Sequence, residues 1–226
     1  EEWSKRLAAV NVSKDDLNLL VANYLFTEGY LSAAENFSRE AGLDTTRLGT
    51  AGGATYDLES IRNRMEIRRA VLKGEVETAL EKVVDLDLEI LDIDPSLHFH
   101  LLQQHLIELI RGQHIPEALA FAQNELAPLA EEHPKFLKEL EKTMALLAFE
   151  LPTLLPPMPA TISSLLDPSQ RLRTARELNA AILAAQGHAA EPKLPQLMTM
   201  MNWGEGLLLE KGVDWPKCES AATKTY

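Results

Sequence analysis

Apolar residues recur at helical spacing along almost the whole chain. Leu17, Leu20, Val21, Tyr24 and Leu25 fall at i, i+3, i+4, i+7 and i+8, a spacing that lines large side chains along one stripe and predicts an amphipathic helix. Ser13, followed by Asp16, fits a capping box at its start, with Asp in place of the usual Glu. Gly29 breaks the helix, and Tyr30, Ala33, Ala34, Phe37 and Ala41 then repeat the spacing until Gly42. The product is a helical hairpin of roughly thirty residues, too small to bury enough surface by itself. It has to dock on something.

Leu43 to Tyr56 carries Gly49, Gly52, Gly53 and several Thr, the composition of a linker. It is no phosphate loop, because neither the Lys-Ser/Thr pair nor a preceding strand accompanies its glycines. Leu58, Ile61, Met65, Arg68 and Leu72 then mark a helix, Gly74 a turn, and Val76, Ala79, Leu80 and Val83 a further helix. Asp94-Pro95 reads as N-cap and first helical position of a segment running to about Gly112, with Leu102, Leu106, Leu109 and Ile110 on its stripe. Leu97 to Leu101 also alternates as a strand would, but the start signal and the helical period that follows outweigh five residues. Ile115 to Leu126 and Lys135 to Phe149 continue as helices. Pro152, Pro156, Pro157 and Pro159 force an extended strap at 151–159. Pro168 to Gln186 and Pro195 to about Lys211 are the last helical segments, ahead of a loose tail. The pattern predicts an all-α fold with no β-hairpin or βαβ unit.

Charge changes this picture more than composition does. Of 226 residues 46% are hydrophobic and 25% charged, an ordinary globular balance. The net charge of -12, however, opposes the phosphate neutralisation that nucleic-acid binding needs. Residues 1–150 hold 27 acids and 15 bases, whereas 151–226 hold 7 of each. Gly74 to Glu132 contains 13 acids with Lys82 and Arg111 as its bases. Directly before it, Ile61 to Lys73 carries Arg62, Arg64, Arg68, Arg69 and Lys73 against Glu66. Such runs are solvated faces or complementary neighbouring helices more often than partner surfaces. The longest clean apolar stretch, Met144 to Phe149, is far short of the ~20 residues that span a bilayer. The acidic start at Glu1-Glu2 shows no secretory pattern, and the lone Cys218 closes no internal disulfide, so a reducing compartment is expected.

Specific residues now carry a resemblance. Leu17-Asn18-Leu19-Leu20-Val21, Tyr24-Leu25 and Glu28-Gly29-Tyr30, followed by Ala34 and Phe37, resemble a LisH motif. Tyr56-Asp57-Leu58, Ile61, Arg64, Ile67-Arg68, Val71 to Gly74, Ala79, Phe99, Leu102 and above all Gln104 to Arg111 resemble a CTLH domain. Ala118-Leu119, Phe121-Ala122, Glu141 and Leu146 to Phe149 resemble the first half of a CRA domain. The order LisH, CTLH, CRA, without a SPRY or RING module, is similar to the scaffold subunits of the glucose-induced-degradation (GID/CTLH) ubiquitin ligase, the Twa-type branch in particular. The expected organisation is an N-terminal segment at 1–12, a LisH motif at 13–46, a linker at 47–55, a CTLH domain at 56–113, a CRA domain at 114–211 and a flexible tail at 212–226.

The resemblance implies a LisH helical hairpin followed by an array of antiparallel helices, and a non-catalytic role in the cytoplasm and nucleus. LisH would pair chains, with itself or with another subunit. The CTLH and CRA surfaces would hold other LisH-CTLH-CRA subunits, including RING-bearing ones, with an armadillo-type subunit and, indirectly, a substrate receptor bridged by the assembly. Catalysis would belong to the RING partners, and a single Cys cannot supply the zinc ligands of a RING. The other class with a LisH motif, in microtubule or dynein regulation, would be favoured by a β-propeller, and no such pattern follows. No cofactor is expected.

Candidate residues follow. Leu17, Leu20, Val21, Tyr24, Leu25, Tyr30 and Phe37 form the expected LisH interface. Phe99, Leu102, His105, Leu106, Leu109 and Ile110 form a CTLH core that Phe99 and His105 broaden towards an interface, and Glu75, Glu77 and Glu81 rim it as an acidic partner surface. His98, His100 and His105 near Glu108 invite a metal reading, which geometry opposes. On a helix His98 and His100 point about 200° apart, and His98 and His105 stand about 10.5 Å apart along the axis, too far for one ion with ~2.0–2.1 Å bonds. His105 and Glu108 remain an i, i+3 pair.

Overall fold

The computed structural model describes residues 2–43, 58–149 and 158–215, which form helices and short connections without a strand. A short helix α1 (Glu2–Ala9) leads to the hairpin of α2 (Lys14–Glu28) and α3 (Leu31–Ala41). The capping box is in place. Ser13 Oγ accepts from the Asp16 N–H at 3.0 Å, and Asp16 Oδ2 accepts from the Ser13 N–H at 3.2 Å. Gly29 ends α2 at φ 77°, a left-handed cap where a Cβ would stand 3.0 Å from the Met65 sulfur.

Next come α4 (Leu58–Lys73), α5 (Val76–Leu86), α6 (Glu89–Ile93) and α7 (Pro95–Arg111). The α7 start obeys its sequence signal: Asp94 Oδ1 accepts from the N–H groups of Ser96 and Leu97 at 3.0 and 3.1 Å. The five residues that also alternate as a strand lie inside this helix. Then α8 (Ile115–Phe121), a π-turn (Ala122–Leu126) and α9 (Ala127–Glu132) form one interrupted rod. Its cause is Pro128, which has no N–H for the carbonyl four residues back, so the Ala127 N–H bonds five residues back, to Ala122. The chain continues through α10 (Pro134–Met144), a 3₁₀ turn (Ala145–Ala148), α11 (Ala160–Ser163), α12 (Pro168–Ala185) and α13 (Lys193–Glu210). The linker at 47–55, most of the Pro-rich strap and the tail beyond 215 lie outside the described residues.

Three apolar clusters hold these helices, and α7 divides two of them. Leu97 and Leu101 join Ile67, Val71, Val76, Ala79, Val83, Leu178 and Ile182. Phe99, Leu102, Leu106, Ile107 and Ile110 join Leu126, Phe136, Leu140 and Leu146 on the other side. Phe99 stacks on Phe136 with ring centroids 4.4 Å apart. In the third cluster Ala22, Phe26 and Ala34 of the hairpin meet Ile61 and Leu183. The long α12 therefore returns from the second half of the chain to pack on α4 and α7. The hairpin docks where α4 and α12 meet.

Two stripes differ from the sequence expectation. On α2 the buried apolar side chains are Ala22 and Phe26, beside the polar Asn23 and Thr27, while Leu17 and Val21 are exposed by 53% and 40%. Position 22 lies about 140° around the helix from position 17, and 26 lies as far from 21, so α2 is apolar on two faces and uses the smaller one internally. On α4 the buried row is Ile61, Arg64, Ile67, Ala70 and Val71, rotated from the expected row through Met65 and Leu72. The inward residue is thus a cation.

Candidate docking surface

Arg64 fixes the hairpin to the body. It is 2% exposed, and its Nη2 donates to Phe26 O at 3.0 Å while Nη1 donates to Thr27 O and to Asn179 Oδ1 at 3.3 and 2.9 Å. Asn179 Nδ2 donates to Thr27 O at 3.0 Å, and Arg68 reaches Glu28 O. Two guanidinium groups thus meet the negative C-terminal end of α2, where the helix dipole and the last carbonyls compensate a buried positive charge. Sequence reasoning placed Arg64 and Arg68 in the resemblance but missed this role. The signal was present, since Ile61, Arg64, Arg68 and Val71 fall on one helical row.

With the hairpin docked this way, one face of α2 stays open. Leu17, Val21 and Tyr30 are exposed, Leu20 and Tyr24 are half-buried, and Leu25 and Phe37 pack partly against the hairpin's own cluster. The Tyr24 and Tyr30 rings lie 6.4 Å apart, with the Arg68 guanidinium 5.8 Å from the Tyr30 ring centre. Burial raises the Tyr24 phenol above its ordinary pKa, with Glu28 adding to it.

Alongside α2 runs α13. Its Lys193 N–H donates to Asn23 Oδ1 at 3.0 Å, and past its other end Asp214 O accepts from Trp3 Nε1 at 2.8 Å. These anchors lay α13 antiparallel to α2. No residue of α13 is buried, yet it carries Leu197, Met200, Met201, Trp203 and Leu209, of which Trp203 is 68% and Leu209 67% exposed. Its Leu194, Leu207 and Leu208 are half-buried where it lies against α2, so one side of α13 packs on the chain and the other leaves its large apolar side chains in solvent.

Of the expected CTLH core and interface residues, Phe99, Leu102, Leu106 and Ile110 are all buried in the chain's own second cluster, which Leu109 also joins. His105 stands edge-on to Phe121 at 4.7 Å, and burial lowers its pKa. The i, i+3 pairing of His105 with Glu108 gives way to another arrangement. Glu108 takes a two-point contact from Arg171 Nε and Nη2, a hydrogen bond from Gln104 Nε2 at 2.6 Å and the Arg111 charge at 3.6 Å. The nearest carboxylate to His105 Nε2 belongs to Glu77, at 3.9 Å. Glu75, Glu77 and Glu81 are exposed on or beside α5.

His100 is also placed by the fold. Its Nδ1 meets Glu177 of α12 at 2.8 Å, and its Nε2 faces Glu139 of α10 at 3.5 Å. The hydrogen bond to Glu177 raises its pKa, helped by the charges of Glu177, Glu139 and Asp94 and opposed by burial. Among the described residues no three His, Cys, Asp or Glu side chains group as a metal site requires, and no helix is long and apolar enough to cross a membrane.

Comparison with known proteins agrees with this architecture. Residues 60–207 match the CTLH/CRA C-terminal to LisH motif domain. The chain is 51% identical over 213 residues to a protein GID8 homolog of Arabidopsis thaliana, covering 94% of this chain and 82% of that protein. It is 49% identical over 225 residues to the glucose-induced degradation protein 8 homolog of Dictyostelium discoideum, covering 100% of this chain and 92% of that one. Identity to GID complex subunit 8 of Schizosaccharomyces pombe is 33% over 214 residues, covering 91% and 84%. With helices, hairpin and relatives in agreement over nearly its whole length, the chain belongs to the CTLH/CRA family and, within it, to the GID8 homologues.

Proposed function

We propose that this chain is a non-catalytic scaffold subunit of a GID-type ubiquitin ligase, acting in the cytoplasm and nucleus. Residues 13–46 serve as its LisH motif, 56–113 as its CTLH domain and 114–211 as its CRA domain. It pairs with other LisH-CTLH-CRA subunits, including RING-bearing ones, and bridges an armadillo-type subunit and, through the assembly, a substrate receptor. The observation that carries this reading is the uncovered apolar face of α2 with α13 laid beside it. Exposed Leu, Met and Trp side chains at this density are what the centre of a helical interface uses. The GID8 names of the three relatives, one of them printed as a GID complex subunit, support assigning the assembly.

The exposed positions allow a clean test, because they contribute little to the chain's own core. Leu17→Asp combined with Val21→Asp should abolish pairing with a RING-bearing LisH-CTLH-CRA partner in size-exclusion chromatography with light scattering. Fully burying an apolar side chain is worth roughly 1.5–3 kcal/mol, and about half of each of these is still open to a partner, so the loss is about tenfold to a hundredfold in affinity before the cost of burying the new carboxylates is added. Helicity should be unchanged. Pairing at parental affinity in the folded double variant would refute the assignment of this face.

A further inference from the structure

A groove of about 520 Å³ opens between the first turn of α3 and the outer face of α4. Its apolar lining is Tyr30, Leu31, Ala33 and Met65, and its charged lining is Arg62, Glu66 and Arg69. Its charge stands apart from the rest of a chain that carries -12 overall. Glu66 is held by Lys82 at 2.6 Å, which lowers its pKa first through that hydrogen bond. Arg62 and Arg69 are exposed, and their charges also lower the Glu66 pKa, after the larger effect of Lys82. Two exposed guanidinium groups therefore flank an apolar strip, with the intervening Glu66 already neutralised by Lys82.

Their spacing defines what fits. Arg62 and Arg69 are seven residues apart on one helix, which sets them about 10.5 Å apart along the axis and within about 20° of the same direction. A peptide in the extended polyproline II form advances about 3.1 Å per residue and returns to the same face every third residue, so carboxylates three positions apart match the two arginines. We propose that this groove docks an extended acidic segment of a partner protein, with two Asp or Glu residues three apart and an apolar side chain between them over Met65 and Tyr30. Arginine suits the task because its planar fork meets a carboxylate at two points. The site shares Tyr30 with the expected LisH interface but includes none of Leu17, Leu20, Val21 and Tyr24, so substitutions at Leu17 and Val21 test the two apart.

The probe is a fluorescein-labelled peptide, Gly-Ser-Glu-Ala-Leu-Glu-Ser-Gly, titrated with the full chain and read by fluorescence anisotropy. Its counterpart with both Glu replaced by Gln is the control. The acidic peptide should bind, weaken as salt is raised, and outbind the control. Exposed charge pairs are worth up to about 1 kcal/mol each, so Arg62→Ser and Arg69→Ser should each weaken binding about fivefold and together about twenty-five-fold. Ala33→Glu, which adds a carboxylate to the groove without touching either arginine, should weaken it as well. The folded variant that cannot pair through α2 should bind the peptide as the parent does. No binding, equal binding of the Gln peptide, or indifference to all three substitutions would overturn the proposal. So would a parental mass that falls by half in Arg62→Ser with Arg69→Ser, because the occupant would then be a second copy of this chain.

Discussion

Replacing Arg64 by Met tests how the hairpin is held, because the two side chains are similar in length and differ in charge and hydrogen bonding. The change removes the bonds from Arg64 to Phe26 O, Thr27 O and Asn179 Oδ1. Two of the three acceptors keep another donor. Phe26 O still receives the Gly29 N–H at 3.2 Å, and Thr27 O still receives Asn179 Nδ2 at 3.0 Å. Asn179 Oδ1 loses the donor that satisfied it, at about 1–3 kcal/mol, and each lost bond from a charged donor adds about 1.5 kcal/mol or more. Relief from burying a cation offsets part of this sum, which leaves a net loss of about 2–4 kcal/mol. For a chain of this length that is a fall in melting temperature of roughly 4–16 °C. Thermal unfolding by circular dichroism measures the loss, and amide hydrogen exchange should show α2 and α3 opening first. Arg64→Lys keeps the charge but cannot reach three acceptors in a fan, so it should recover less than half. Stability of Arg64→Met within about 0.5 kcal/mol of the parent, or full rescue by Lys, would refute the capping role.

Three further outcomes are expected. Gly74 sits at φ 90°, and a Cβ there would stand 2.8 Å from Arg171 Nη2 and 3.0 Å from the Glu108 carboxylate. Gly74→Ala should therefore cost about 2 kcal/mol or more in urea unfolding, whereas Gly187→Ala, at φ 73° with open space around it, carries the backbone term alone. The folded-state pKa of His100 is raised, so its contribution is complete below the unfolded value of about 6.5 and is lost as pH rises through the folded value. The stability difference between parent and His100→Gln should shrink from pH 6 to pH 8, and a constant difference would contradict the bridge to Glu177. Reversing Glu75, Glu77 and Glu81 to Lys should slow association with a basic partner subunit and flatten its salt dependence in stopped-flow measurements, with helicity unchanged.

What could be read from the sequence follows from which forces are local. The start of α7 was legible because Asp94 and Pro95 act on adjacent backbone, and the ends of α2 and α3 because Gly29 and Gly42 take left-handed φ values. The choice of buried face was not. On α2 the period fits both the Leu17, Val21 and Tyr24 row and the Leu19, Ala22 and Phe26 row, and only the arrival of α4 and α12 decides between them. Arg64 was hidden by its chemistry, since a guanidinium in a basic run reads as solvated until the C-terminal carbonyls of α2 are known to face it. Phe99 is ambiguous for the opposite reason. Its apolar ring could serve an interface or a core, and Phe136, 37 residues away, settles it as core. The exposure of α13 is likewise a tertiary fact, invisible to a pattern that reports helix and apolarity but not what stands opposite.

The most direct measurement is the native mass of assemblies formed when the purified full chain is mixed with a RING-bearing LisH-CTLH-CRA subunit, with and without an armadillo-type subunit. The account predicts a stable complex with the RING-bearing subunit that recruits the armadillo-type subunit, and that fails to form when Leu17 and Val21 are both changed to Asp. A chain that remains solitary with both candidates, at concentrations where its helices are intact, would contradict it.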